Sequence, residues 1–461
     1  MTLIKSISGI RGTIGGSIEN NLTPIDAVNF GCAYAKWLIK KKSNSKNKVI
    51  IGRDARVSGK MIQNLVQSSL LSMGINVIDL GLSTTPTVEL MVKKYNADGG
   101  IIITASHNPK EWNALKLLNK NGEFLNSDEG EEVIDFYEKK KFKFSKVNKL
   151  GTLSKLKNSI NQHIKSVLNL ELVKTKKIKS KKLKIVVDAV NSTGGIIIPK
   201  LLKKLNIDVV ELYCNPNGDF PHNPEPLKKN LKDLSQKVTE CGADMGIAVD
   251  PDVDRLVFMC ENGEIFGEEN TLVACADYVL SKTPGSTVSN LSSSIALRDI
   301  TKKHNQSHFY SAVGEVNVVE KMKKVNAVIG GEGNGGVIYP ESHYGRDAIV
   351  GIGLFLSLYC ERNLSLSKLI ETYPKYFMVK QSINLSNSIN IDEVINRIKK
   401  EYKNENIDCV DGVRIDFKKS WVQIRKSNTE PIIRVYSEAI NKKKANDLIL
   451  VIESLIKDII N

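Results

Sequence analysis

At 461 residues the chain exceeds what one hydrophobic core usually supports, so two to four domains are expected. The formal charge of +15 comes from lysines dispersed through Lys/Asn/Ile-rich sequence, with local runs such as 174–184 that read as solvated connectors; no aromatic interleaving accompanies them, so no nucleic-acid partner is expected. Seven scattered cysteines without a C-x-x-C pair fit a reducing compartment, there is no apolar leader, and the longest apolar run, 348–360, is too short to span a bilayer; the reading is a soluble cytoplasmic protein with no membrane partner.

The first region, 1–150, opens with ISGIRGTIGG. Arg11 lies between glycines, which places it on a flexible turn where its guanidinium could reach a phosphate; the alternative is a surface arginine beside a hairpin. A helix follows, with Thr23 as N-cap and Pro24 at its first position. A strand at 49–52 leads into RDARVSG, a helix runs from about Lys60 to Gly74, a strand occupies 76–80, and Thr85-Pro86 begins another helix. The next strand is GGIIITASHNP, 99–109, whose β-branched apolar run stops at small and polar residues and delivers Ser106 to a loop at a strand's carboxyl end. A hydroxyl there can act as a nucleophile or carry a covalent group; on this stretch alone, a turn serine satisfying local backbone is the simpler account. The rhythm of strands and helices predicts a largely parallel α/β sheet.

The rhythm repeats at 151–258, with strands at 183–189 and 208–213 and helices at 196–205 and 226–241. It ends in MGIAVDPDVDRLVFMC, 245–260, where an apolar strand runs into Asp250, Asp252 and Asp254, followed by Arg255. Three carboxylates at alternate positions of an extended segment would face one way and repel unless a cation sits among them, which suits a hard ion such as Mg²⁺. An EF-hand is excluded because Arg255 stands where the loop needs glycine and the flanks read as strands.

A third α/β unit covers 259–372, with its last strand at 327–330. Its GGEGNGG, 330–336, contains G-x-G-x-x-G, but the VIYP that follows is no helix start, so a dinucleotide site is rejected. Glu332 and Asn334 on this loop suit bidentate contacts with sugar hydroxyls, unless it is a plain loop; His343, Arg346 and Asp347 are candidates for the same cleft. From 373 to 461 the pattern becomes α+β. Ser427, Asn428 and Thr429 form a polar turn flanked by Arg425 and Arg434, a set that can bind a phosphate dianion without a P-loop; an ST-turn explains the turn but not the two arginines. The expected fold is three consecutive mixed α/β sheet domains followed by a smaller α+β domain.

Four of these segments, TASHNP, DPDVDR, GGEGNGG and RKSNTEP at 425–431, resemble, in order and across nearly the whole chain, the phosphoserine, metal, sugar-recognition and phosphate-binding loops of the α-D-phosphohexomutase family. The resemblance implies an isomerase-class phosphotransferase that interconverts hexose 6-phosphate and hexose 1-phosphate. It implies a phosphoserine at Ser106, Mg²⁺ held by Asp250, Asp252, Asp254 and a phosphoryl oxygen on Ser106, and a hexose 1,6-bisphosphate as activator and intermediate. By motif position Lys116 matches the family's candidate base, its pKa expected to be lowered by cations such as Arg11, and His107 matches another active-site position. Arg11 and Arg255 join the phosphate-binding set. The expected partner is a small phosphosugar, and the chain is expected to be a monomer or homodimer. A carboxylate at Glu332 near the sugar's 2-position would favour an ammonium, which tilts the substrate toward glucosamine phosphate, with mannose or glucose phosphate as the alternative. A non-catalytic sugar-phosphate-binding homologue is a reading of another class, which the intact Ser106 and three aspartates oppose.

Overall fold

An uncharged, β-branched run places the strand Gly99–Ile103 inside a sheet, between Trp112–Leu118 and Lys48–Arg53, with every residue buried. The structure is a computed structural model that describes residues 2–6, 9–41, 47–384, 391–426 and 432–460. They form two compact units, residues 1–271 with 335–369 and residues 272–334 with 370–461.

In the first unit, one sheet has seven strands in the order Ile4–Ser6, Gly9–Thr13, Trp112–Leu118, Gly99–Ile103, Lys48–Arg53, Asn76–Leu82 and Leu153–Lys155. The last four are parallel and the first three antiparallel, so the sheet is mixed along one edge. Period-two alternation sends Ile101 and Ile103 to a core shared with Phe30, Tyr34 and Val66, and Ile102 to a second core with Val88, Val92 and Leu118. The helix Pro24–Lys41 begins as expected: the backbone N–H and hydroxyl of Thr23 both donate to Asp26 Oδ2, at 3.0 and 2.5 Å.

Arg11 is not on a turn. It lies in the strand Gly9–Thr13, opposite Ala114, because this segment pairs on both sides, with Ile4–Ser6 and with Trp112–Leu118. Gly9, opposite Lys116, makes that pairing possible: its φ is +128°, and a Cβ there would come within 1.8 Å of the Leu115 carbonyl oxygen.

The second sheet of this unit runs Leu256–Cys260, Met245–Val249, Lys184–Asp188, Asp208–Leu212, with its first pair antiparallel and the rest parallel. Both flanks of the acidic loop are therefore strands. The helix expected from Pro226 starts only at Lys232, because Leu227 is extended and residues 228–230 form a 3₁₀ turn. The lysine run holds a short helix, Thr175–Ser180, anchored by buried Ile178. The apolar stretch at 348–360 forms the largely buried helix Ala348–Arg362, capped by Asp347, whose side chain accepts from the backbone N–H groups of Ile349 and Val350. Among the described residues no helix is long and apolar enough to cross a membrane.

In the second unit the strands His308–Ser311, Thr287–Asn290 and Ile329–Glu332 are parallel. The strand expected at 327–330 is shifted, so that Glu332 closes it, and the chain continues after the glycine loop into a strand counted with the first unit, Gly336–Ile338, not into a helix. A five-stranded antiparallel sheet follows, in the order Phe377–Asn384, Ile432–Ala439, Ser420–Lys426, Val413–Phe417, Asn406–Asp408. Buried Arg414 ties it to the parallel strands: it donates to the Leu291 carbonyl and to Asp416, and lies over the rings of Tyr310 and Trp421 at 4.4 and 4.2 Å.

Candidate active site

Ser106 sits just past the carboxyl end of the Gly99–Ile103 strand, buried, with a φ of +49° that is uncommon for a residue other than glycine. Its backbone N–H donates to Thr104 Oγ1 at 2.9 Å, and its hydroxyl donates to Asp250 Oδ2 at 2.7 Å. The His107 Nδ1 is 3.4 Å from the same hydroxyl oxygen; burial and the cations Arg255, Arg11, Lys116 and Arg346 push that imidazole well below its usual pKa, so it stays neutral. Arg11 donates to Asn108 Oδ1 at 3.2 Å.

Asp250, Asp252 and Asp254 are fully buried, and each offers an oxygen within 4.8 Å of the others. Their convergence does not come from an extended strand. Residues 250–254 form a tight turn in which Val253 has a φ of +65°, a strained value for a β-branched residue, and Asp250 Oδ1 accepts from the backbone N–H groups of Asp254 and Arg255, each at 3.1 Å. Burial and the two neighbouring carboxylates push Asp250 well above the usual carboxylate range. Burial acts the same way on Asp252, but Lys116 and the hydrogen bonds it receives outweigh this and hold it below that range. Among the described residues, Asp252 Oδ1 and Asp254 Oδ1 are buried with no hydrogen-bond partner. Buried anionic oxygens left this way are costly unless a cation takes them, so the donor set fits a hard divalent ion such as Mg²⁺.

The other oxygens of these two aspartates are held by protein. Asp252 Oδ2 accepts from Lys116 Nζ at 2.8 Å and from Thr85 Oγ1 at 2.6 Å; Asp254 Oδ2 accepts from Arg346 at 2.6 Å, with Lys116 at 3.5 Å. The pKa of Lys116 is therefore raised, contrary to the expectation: burial lowers it, but Asp252 and Asp254 outweigh burial and the opposing Arg346. Arg255 pairs with Glu225 at 3.1 Å. His343 lies in a buried network, its Nε2 3.1 Å from Asp347 Oδ2 and its Nδ1 3.4 Å from Glu89; His163 reaches the same Asp347 oxygen at 2.9 Å. His343 and Asp347 thus stand in one buried network next to Arg346 in sequence.

In the second unit, Glu332 Oε1 accepts from Asn290 Nδ2 at 2.8 Å and from the Gly314 backbone N–H at 3.2 Å, and Asn334 Nδ2 is 3.4 Å from Oε2. The carboxylate is thus fixed on one side. Arg425 and Arg434 stand directly opposite each other on paired strands, a like-charge pair that costs stability unless an anion offsets it. Burial pushes the Tyr436 phenol up, but Arg434, Arg425 and Lys380 outweigh it and leave it below its usual value. Ser427, Asn428 and Thr429 lie outside the described residues.

Four family models match the chain in sequence: phosphoglucomutase/phosphomannomutase alpha/beta/alpha domain I over residues 3–144, domain II over 161–263, domain III over 268–376, and the C-terminal domain over 384–453. The chain belongs to the phosphoglucomutase/phosphomannomutase family. It is a phosphohexomutase, an isomerase-class phosphotransferase. It is 37% identical over 443 residues to a phosphoglucomutase/phosphomannomutase of Thermococcus kodakarensis, covering 95% of this chain and 96% of that one. It is 30% identical over 456 residues to a phosphoglucosamine/phosphogalactosamine mutase of Sulfurisphaera tokodaii, covering 97% and 98%. In fold, it is similar to a phosphoglucomutase/phosphomannomutase family protein of Burkholderia thailandensis, with a TM-score of 0.85, 22% identity and coverage of 99% and 97%.

For this mutase, sequence reasoning passed over two residues that the geometry puts at the centre. Thr85 was legible only as a helix start, and Arg56 only as part of RDARVSG. Arg56 is buried beneath the Ser106 loop, and neither hydrophobic periodicity nor a local motif marks it.

Proposed function

We propose that the mutase interconverts hexosamine 6-phosphate and hexosamine 1-phosphate, glucosamine phosphate foremost, through a phosphoryl group carried on Ser106. The observation that carries the covalent part is the Ser106 hydroxyl aimed at the three-aspartate cluster, 2.7 Å from Asp250. In the transfer, the bond between phosphorus and Ser106 Oγ breaks and one to a sugar hydroxyl forms, while the hydroxyl's proton leaves the sugar and Ser106 ends as the free alcohol. The resulting hexose bisphosphate turns over and returns its other phosphoryl group to Ser106 by the same exchange. Asp250, Asp252 and Asp254 would hold Mg²⁺, which supplies neutralisation of phosphoryl charge.

The protein's own groups divide the remaining work. Lys116, charged and held between Asp252 and Asp254, serves best as a fixed cation beside the transferring group, and neutral His107 stands where a proton can pass to or from Ser106. Arg11 is a further cation of the serine loop. Arg425 and Arg434 grip the phosphate that is not reacting, together with Ser427, Asn428 and Thr429.

The sugar preference rests on Glu332, whose carboxylate is held by Asn290 and Gly314 and can meet an ammonium by charge as well as by hydrogen bonding. The similarity to the Sulfurisphaera tokodaii enzyme supports this reading, and the similarity to the Thermococcus kodakarensis enzyme supports mannose or glucose phosphate as the second one. The test is kcat/KM for glucosamine, mannose and glucose 1-phosphates side by side, after identical activation with hexose 1,6-bisphosphate. A lead of about tenfold or more for mannose or glucose phosphate, about 1.4 kcal/mol in transition-state binding, would replace the glucosamine assignment.

A further inference from the structure

Arg56 lies beneath the Ser106 loop with its guanidinium fully shielded from solvent. Its Nε donates to Asp54 Oδ2 at 3.0 Å. Its Nη1 donates to the carbonyls of Pro109 and Trp112 at 2.6 and 2.9 Å, and its Nη2 to those of Ser106 and Asn108, both at 2.6 Å. A guanidinium has five N–H donors in a planar fork, and here every one meets an acceptor, four of them backbone carbonyls of the loop that carries the serine. The ring of Phe220 covers its face at 5.1 Å.

The hold on Ser106 is closed from both ends of the residue. Its carbonyl accepts from Arg56 Nη2, while its N–H donates to Thr104 Oγ1, and that hydroxyl donates to Asp54 Oδ2 at 2.7 Å, the oxygen that also receives Arg56 Nε. Arg56 N–H donates to the other Asp54 oxygen at 3.0 Å. Ser106 needs this frame because its φ of +49° is disfavoured for a residue with a Cβ, and released carbonyls would let the turn relax toward ordinary values. Such a relaxation would swing the hydroxyl away from Asp250.

We infer that Arg56 is a positioning residue for the phosphoryl transfer: through Asp54 and four loop carbonyls it fixes the left-handed turn that presents Ser106, without touching the sugar. The inference rests on the reading of Ser106 as the phosphoryl carrier. Lysine cannot replace it, because an ammonium carries three donors from one point and cannot span five acceptors.

The test compares Arg56→Lys, Arg56→Ala and Thr104→Val with wild type, measuring kcat, KM, and the rate at which hexose 1,6-bisphosphate phosphorylates Ser106. Arg56→Lys is expected to lose about 100-fold in kcat and in phosphorylation rate, with KM changed by less than about threefold, as misplacement of a reacting group does. Added methylguanidinium is expected to restore Arg56→Ala by about tenfold in kcat, saturably, and to leave wild type unchanged. Thr104→Val, which cuts the other arm of the frame, is expected to lose about tenfold in kcat at constant KM, and it decides the matter if neither arginine variant folds. A kcat within about threefold of wild type in Arg56→Lys, or in Thr104→Val where the arginine variants do not fold, overturns the inference, as does a loss in Arg56→Ala that methylguanidinium does not relieve. If wild type neither turns over any hexose phosphate nor takes a phosphoryl group on Ser106, the underlying reading fails and the inference falls with it; with wild type active, the variants judge Arg56 alone.

Discussion

Replacing Thr85 by valine tests how the acidic cluster is tuned, with little change in side-chain volume. Thr85 is fully buried and donates its hydroxyl to Asp252 Oδ2 at 2.6 Å, while its backbone N–H donates to the Asp252 carbonyl at 2.9 Å. The substitution keeps the backbone bond and removes the hydroxyl, leaving Lys116 to hold Oδ2 alone and freeing the carboxylate to rotate its Oδ1 away from the cluster. A hydrogen bond to a charged group contributes about 1.5–3 kcal/mol, which corresponds to about 10- to 100-fold in affinity for an ion held by Asp252. The assay is calorimetric titration of the metal-stripped protein with Mg²⁺, paired with the Mg²⁺ dependence of turnover. Both midpoints should rise by that factor, with kcat at saturating Mg²⁺ much less affected. A folded Thr85→Val protein whose Mg²⁺ affinity stays within about twofold of wild type would refute the assignment of Asp252 as a ligand.

Chelation should abolish turnover and added Mg²⁺ restore it, and Asp252→Asn, which removes a ligand charge, should lose most activity at any Mg²⁺ concentration; chelator-insensitive turnover would contradict the metal site. Arg425→Ala should raise KM for the hexose phosphate by about tenfold or more while Ser106 still accepts a phosphoryl group, and an unchanged kcat/KM would remove Arg425 from the phosphate grip. His308, half-buried with its ring nitrogens against the hydroxyls of Thr287 and Ser289, has its pKa lowered from 6.5 to about 3 by desolvation, with Arg414, Arg298 and Lys302 adding to the effect. Because the unfolded chain takes up this proton as pH falls through 6.5 and the folded chain does not until about 3, stability is lost across that window, at up to about 1.4 kcal/mol per pH unit, and is unaffected above it. Denaturant midpoints at about pH 7 and about pH 5 should therefore converge in His308→Gln relative to wild type, and an identical acid dependence in the two proteins would exclude His308 as its source.

The residues that carried the function in the sequence are those whose chemistry is local. Three aspartates between two apolar strands can be recognised from a dozen neighbouring letters, whereas Ser106 reads alone as a turn serine and gains its role from the order of the four loop segments. Their geometry was less accessible. Alternation predicted converging carboxylates from an extended chain, whereas the loop achieves convergence through a left-handed Val253 and two backbone N–H groups on Asp250. Flanking glycines suggest a turn at Arg11, but strand pairing on both sides overrides that local flexibility. The pKa of Lys116 depends on Asp252 and Asp254, more than a hundred residues away, so nearby cations alone predict the wrong sign for its shift. Arg56 and Thr85 escaped notice for the same reason: their partners are set by tertiary packing, and neither type nor spacing announces them.

Phosphopeptide mapping after incubation with hexose 1,6-bisphosphate and Mg²⁺ decides whether the phosphoryl group rides on Ser106. One phosphoryl group per chain is expected on the peptide containing Ser106, discharged on addition of hexose 6-phosphate, and absent together with turnover in Ser106→Ala. A phosphoryl group mapped to another residue, or wild-type turnover in Ser106→Ala, would contradict it.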